Sequence, residues 1–122
     1  MESLSAAELQ IIRSMLVKQY GAVSPFLDQL AAAGVEKRRM TGAGVFVDLQ
    51  MAGNAGRVDQ VNSEISEAFP TRLPSPLDIV GFTLFIRSGC LSFLEGYTFG
   101  DADWPNEPLQ EWLVLPAAAA NR

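Results

Sequence analysis

Val80-Gly81-Phe82-Thr83-Leu84-Phe85-Ile86, then Ser88-Gly89, then Leu91-Ser92-Phe93-Leu94-Glu95-Gly96-Tyr97-Thr98-Phe99, is the stretch whose reading decides the fold. Two runs rich in β-branched and aromatic residues flank a Ser-Gly step, which predicts a β-hairpin with a two-residue turn. With that turn, Ile86 faces Leu91, Leu84 faces Phe93, Phe82 faces Glu95 and Val80 faces Tyr97. One face of the hairpin is then nearly all apolar and should lie on helices, with Glu95 in its middle. The other face, carrying Thr83, Phe85, Ser92 and Leu94, is mixed. It is expected to be partly exposed or covered by a second copy of the chain, as a homodimer. A one-residue shift in the loop would move these partners.

Upstream, the first third reads as a helical hairpin. Ser5 followed by Glu8 matches a capping box, in which each side chain satisfies a free N–H of the other residue at the helix start. Leu9, Ile12, Leu16 and Tyr20, with Ile11 and Met15 beside them, recur at helical spacing until Gly21 stops the helix. Ser24-Pro25 starts a second helix, Ser as cap and Pro in the first turn. Phe26, Leu27, Leu30 and Ala31 form its apolar side, and Gly34 ends it. Residues 36–39 read as a charged connector. Val45, Val47, Leu49 and Met51 then alternate with Phe46, Asp48 and Gln50, the period of a strand with one better-buried face. Residues 53–56 are a turn. Residues 57–67 fit helix or strand, with β-branched content favouring strand, and the three prolines in 69–76 predict an extended connection.

Downstream, residues 100–108 are a loop rich in Asp, Asn and Pro that contains Trp104. Residues 112–115 predict a short last strand or a packed segment, with 1–4 and 117–122 frayed. The expected fold is a single α+β domain. Two N-terminal helices pack on one face of a mostly antiparallel sheet of four or five strands.

Composition excludes several chemistries. The chain has 122 residues, no histidine and one cysteine, Cys90, which rules out Ser-His-Asp and Cys-His catalysis, His-ligated metals and an internal disulfide. Net charge is −5, and residues 88–121 contain no Lys or Arg. Nucleic-acid and anionic-membrane binding, which need clustered cations, are therefore not expected; a protein partner with a basic surface suits the charge. No apolar run approaches the roughly 20 residues of a membrane span. The first residues lack the pattern of a secretory signal, so a cytoplasmic location is expected by default.

Glu95 is the residue of most chemical interest. A carboxylate among Phe82, Phe93 and Tyr97 would lose hydration and become a candidate acid or base; the alternative is a position at the sheet margin, satisfied by backbone N–H groups or by an Arg, with Gly96 beside it suggesting close backbone approach. Asp101-Ala102-Asp103 with Glu107 has a calcium-loop look but fails the spacing of a calcium hand. Thr41-Gly42-Ala43-Gly44 leads into a strand rather than a helix, so it reads as a bulge or as close strand packing and not as a phosphate cradle. Cys90, at the hairpin turn, lacks a base to activate it. Trp104 and Trp112 are core residues if covered and interface anchors if exposed.

The segment Leu94-Glu95-Gly96-Tyr97-Thr98-Phe99-Gly100, with Trp104-Pro105 beyond it and Gly81 to Ile86 before it, resembles a group of small, mostly bacterial proteins with no established activity. Thr41-Gly42-Ala43-Gly44-Val45-Phe46 is similar to the group's upstream strand. The resemblance implies a fold and no reaction. Small acidic α+β proteins of this character are often assigned an immunity role against toxins.

The expectation is therefore a non-enzymatic interaction protein, with Glu95, Tyr97, Asp101, Asp103 and Trp104 as its binding residues and no cofactor or metal. The alternative is a small-ligand pocket or weak hydrolase built around Glu95.

Overall fold

The computed structural model describes residues 2–51, 58, 61–72, 79–99 and 103–114. Helices α1 (Ala6–Tyr20) and α2 (Pro25–Ala32) lead into strands β1 (Ala33–Met40), β2 (Gly44–Met51), β3 (Ser63–Pro70), β4 (Ile79–Arg87) and β5 (Cys90–Thr98). A single helical turn, α3 (Leu109–Trp112), follows. The strands form one sheet in the order β1-β2-β5-β4-β3, and every neighbouring pair is antiparallel. The helices lie on one face of it. The protein is thus α+β with a five-stranded sheet.

Local chemistry sets the first helix. The Glu8 N–H donates to Ser5 Oγ at 3.1 Å and the Ser5 N–H to Glu8 Oε1 at 2.8 Å, completing the capping box. Gly21, at φ 92°, closes the other end with its N–H on the Val17 carbonyl. The buried stripe is Ala7, Glu8, Ile11, Ile12, Met15 and Leu16, while Leu9 turns outward. In α2, Ser24 precedes Pro25 as expected, but its hydroxyl makes no cap bond and is buried without a partner.

Strand β1 replaces the charged connector. The helix ends at Ala32, so Gly34 already belongs to the strand, and residues 36–39 pair with β2. The register shifts between Val35 and Lys37, leaving Glu36 as the extra residue of a bulge. Val35 and Arg38 consequently share the helix side, opposite Leu49 and Val47. Glu2 pairs with Val35, so the segment expected to fray is tied to this sheet edge from its second residue. Residues 57–67 resolve in part to strand, since β3 starts at Ser63 and includes the first two residues of the expected extended connection. Thr71 then bridges Leu113, which makes 112–114 a packed segment on the far edge rather than a sixth strand. The turn at 53–56, residues 73–78, residues 100–102 and the tail beyond 114 lie outside the described residues.

The hairpin forms where expected, but its register changes after the turn. Ser88 (φ 51°) and Gly89 (φ 78°) both adopt left-handed backbone, the signature of the tight turn that matches strand twist. Ile86 pairs with Leu91 as expected. Phe85 then pairs with Phe93, leaving Ser92 as an extra residue, and every later pair moves by one: Leu84 with Leu94, Thr83 with Glu95, Phe82 with Gly96, Gly81 with Tyr97. Because side chains alternate, the shift exchanges the two faces of β5. Leu94 enters the core, and Phe93, Glu95 and Tyr97 leave it. Glu95 therefore does not stand in the apolar face opposite Phe82.

The core is closed by a chain of rings meeting edge to face. Phe69 contacts Phe82 at 5.6 Å between centroids, Phe82 contacts Trp104 at 5.8 Å, and Trp104 contacts Trp112 at 5.3 Å. Gly96 makes room for this. A Cβ there would lie 2.6 Å from the Trp104 ring and 2.8 Å from Phe82. At the other end of the hairpin, the fully buried Gln29 of α2 donates to the Gly89 carbonyl at 2.8 Å and accepts from the Leu91 N–H at 2.9 Å.

Two substitutions test these supports. Gln29→Leu strands the buried Leu91 N–H, worth about 1–3 kcal/mol, and leaves the Gly89 carbonyl with the Val58 N–H alone, so it should lower the urea midpoint accordingly; an unchanged midpoint would remove Gln29 as a support of the hairpin. Gly96→Ala should cost about 1–3 kcal/mol through overpacking and red-shift tryptophan emission as Trp104 is displaced.

Candidate functional site

The register shift builds an aromatic face on the side of the sheet away from the helices. Phe46 of β2 pairs with Glu95 of β5, which pairs in turn with Thr83 of β4. Phe93 and Tyr97 stand two residues to either side of Glu95, and Phe85 pairs with Phe93. The Phe85 and Phe93 rings stack at 4.2 Å, Phe46 meets Phe93 at 6.2 Å, and Tyr97 meets Phe99 edge to face at 5.6 Å. Tyr97 lies across Gly81, where a Cβ would come within 2.3 Å of its ring. Phe46, Phe85, Phe93, Glu95 and Tyr97 are half-buried, and Phe99 (39% exposed) and Ile79 (46% exposed) extend the apolar surface at one end.

Polar groups on this face are mostly engaged. Ser66 and Thr83 share a 2.8 Å hydrogen bond between hydroxyls, and Thr83 Oγ1 is 3.5 Å from the Tyr97 hydroxyl. Arg39 donates to Asp48 Oδ1 at 2.9 Å while its guanidinium sits 4.8 Å from the Phe46 centroid. Arg87 sits 5.1 Å from the Phe85 centroid. Glu95 takes part in none of the four ion pairs found among the described residues.

The residues expected to bind together do not form one site. Glu95 and Tyr97 share the open face. Trp104, at 6% exposure, is on the helix side, its N–H on the Gly42 carbonyl at 3.0 Å and its ring inside the core. The expectation of Trp104 as an anchor is thus corrected, since its ring fills the space over Gly96 instead. Asp103 is exposed in the preceding loop, and Asp101 lies outside the described residues. Cys90 is half-buried opposite Arg87 at the turn. The Thr41 to Gly44 segment joins β1 to β2. Gly42 takes φ 82°, and Gly44 sits so close to the Gly96 carbonyl that a Cβ would collide with it, which is close strand packing as expected.

A second feature, unmarked in the sequence, is a groove of about 400 Å³ lined by Glu8, Arg38, Met40, Trp104, Pro105 and Leu109, among others. Its polar wall is a two-pronged ion pair: Arg38 Nε to Glu8 Oε2 at 2.9 Å and Nη2 to Oε1 at 2.7 Å, with Nη1 on Glu2 at 3.0 Å. Burial by itself would raise the Glu8 carboxyl, but the Arg38 guanidinium and the Ser5 N–H together hold it below its ordinary value near 4.5. The hydrogen bonds that Arg38 donates to the Glu8 carboxylate correspondingly raise Arg38. These groups satisfy one another, so the pair is a structural clamp between α1 and β1.

Phe46, Phe85 and Phe93 were not among the expected binding residues. Phe46 was detectable, because an aromatic occupies the polar phase of the alternation in β2. Phe93 was not, because its face depends on the bulge. Comparison with protein-family models, with curated proteins and with solved structures finds no match to this chain.

A carboxyl whose value is lower in the folded than in the unfolded chain adds stability above its ordinary value, and that stability is lost as pH falls through the folded value. The thermal midpoint should therefore drop on acidification below about pH 4.5, and drop less in Glu8→Gln, which starts lower at neutral pH because Arg38 loses its two-pronged partner and keeps only the exposed Glu2. Parallel curves for the two proteins would remove Glu8 from the acid response.

Proposed function

We propose that the chain is a non-enzymatic interaction domain that docks a protein partner with a basic surface on the open face of its sheet. The observation carrying this reading is the half-buried set of Phe46, Phe85, Phe93 and Tyr97 around Glu95 on the sheet face away from the helices, with polar and charged residues at the margins. Antiparallel sheets commonly leave one face to water, and then that face is polar. Here its three central strands present aromatic rings. Aromatics at the centre and charges at the rim are the usual anatomy of a binding patch. The basic partner follows from the net charge of −5 and from Glu95 at the centre.

The alternative built on Glu95 as an acid or base draws less support. The Tyr97 hydroxyl accepts from Thr83, and no basic group pairs with Glu95 among the described residues.

Photo-cross-linking tests the reading. A benzophenone side chain in place of Phe99, at the end of the aromatic face, should give a discrete adduct with a basic protein from the native host, suppressed at about 0.5 M salt. The same group in place of the exposed Val23, at the turn between the helices, should not. Equal adducts from both positions, or a hydrolytic activity that Glu95→Gln abolishes, would sink the proposal.

A further inference from the structure

We infer that Glu95, among the rings of Phe46, Phe93 and Tyr97, is the seat for a guanidinium or ammonium group carried by a separate protein partner; this rests on the open face being the docking surface.

The face contains a worked instance of the chemistry. At its β1 margin, one guanidinium, Arg39, is held between a ring and a carboxylate: 4.8 Å from the Phe46 centroid and 2.9 Å from Asp48. Arg87 repeats the ring half of that arrangement on Phe85 at 5.1 Å. In both cases a cation takes the negative face of an aromatic ring, an attraction that grows as water is excluded. The middle of the face repeats the ingredients without the cation. Register places Phe46 directly across from Glu95, and Phe93 and Tyr97 follow on the same side of the same strand. Cross-strand neighbours of this kind stand about 5 Å apart at Cβ, so a cation over Glu95 would touch at least two rings. Neither nearby arginine is available for the seat, Arg39 being held by Asp48 and Arg87 stacked on Phe85.

Charge also decides who brings the cation. The strand order makes β5 the middle strand of five. A second copy packed face to face about a two-fold axis along that strand would set Glu95 against the other Glu95, two like charges in a drying interface. A basic segment on a different protein meets no such opposition.

The test uses the intact chain and two small probes. In amide NMR titrations, N-acetylarginine amide should shift the resonances of Phe46, Phe93, Glu95 and Tyr97. Its uncharged isostere, N-acetylcitrulline amide, should not. Glu95→Gln, which keeps the shape of the side chain, should weaken the arginine probe about fivefold, as should Phe93→Leu. Equal shifts from the two probes, shifts confined to Asp103, Glu107 and Glu111, or no effect of Glu95→Gln would overturn the inference. The cross-link from position 99 separates this from failure of the docking reading. An adduct that survives unchanged in Glu95→Gln leaves docking standing and removes the cation seat; an adduct lost in both Glu95→Gln and Phe93→Leu supports the seat. An adduct of two copies of this chain would assign the face to self-association and overturn the separate partner.

Discussion

The extra residue at Ser92 governs the molecule. A strand whose side chains alternate strictly has no freedom to choose which of them face the core; a bulge supplies it by placing two residues against one. Here Leu91 and Leu94, three apart, both enter the core, opposite Ile86 and Leu84. Gly96 follows them, and its missing side chain is the space that Trp104 fills. Without the bulge, Phe93, Glu95 and Tyr97 would point at the helices. A carboxylate would then meet Phe82 and the Trp104 ring, with no described donor to receive it. The helix side and the open side of this protein are both consequences of one inserted residue.

Other constraints hold the bulge in place. Gln29 grips the turn through Gly89 and Leu91, the first residues of the strand, so the hairpin tip cannot slide. Gly89 adds a local limit, since any Cβ there would run into the Val58 carbonyl. At the far end, Gly44 and Gly96 allow β2 and β5 to approach closely, and the chain from Phe69 through Phe82 and Trp104 to Trp112 ties the last described segment to β3 and β4. Both outer edges are partly occupied by terminal segments, Glu2 along β1 and Leu113 beside Thr71. Unpaired strand edges recruit other strands, and here chain ends limit that exposure.

What was legible in the sequence was local. The capping box of α1, the stops at Gly21 and the Ser88-Gly89 turn each depend on residues within four positions of one another, and each is present. The α+β class followed from the change of period after residue 44. The features that were not legible depend on distant partners. Residues 36–39 look like solvated loop because their charges are conspicuous, yet Arg38 is placed by Glu8, thirty residues earlier. The register of β5 is set by Phe85 stacking on Phe93 and by Leu94 fitting under the helices, neither of which composition reports. Gln29 did leave a trace, three residues after Phe26 and one before Leu30 on the buried side of α2. The grouping of the candidate residues was hidden in the same way: the face that carries Glu95 and Tyr97, and the separation of Trp104 from them, turn on one unpaired residue.

The shape of the open face bears on what sort of complex it can make. Five strands about 4.8 Å apart and about eight residues long, at roughly 3.3 Å per residue, span roughly 24 by 26 Å. That is a flat footprint of about 600 Å² in projection. The face also limits its own apolar exposure: Phe85 and Phe93 cover one another, and Arg39 and Arg87 lie over two of the rings. It combines a small apolar centre with charges already held in place, and rigid rings lose little conformational freedom on binding. A partner using this face alone should therefore bind reversibly, with the charge at Glu95 contributing more to the choice of partner than to the total affinity.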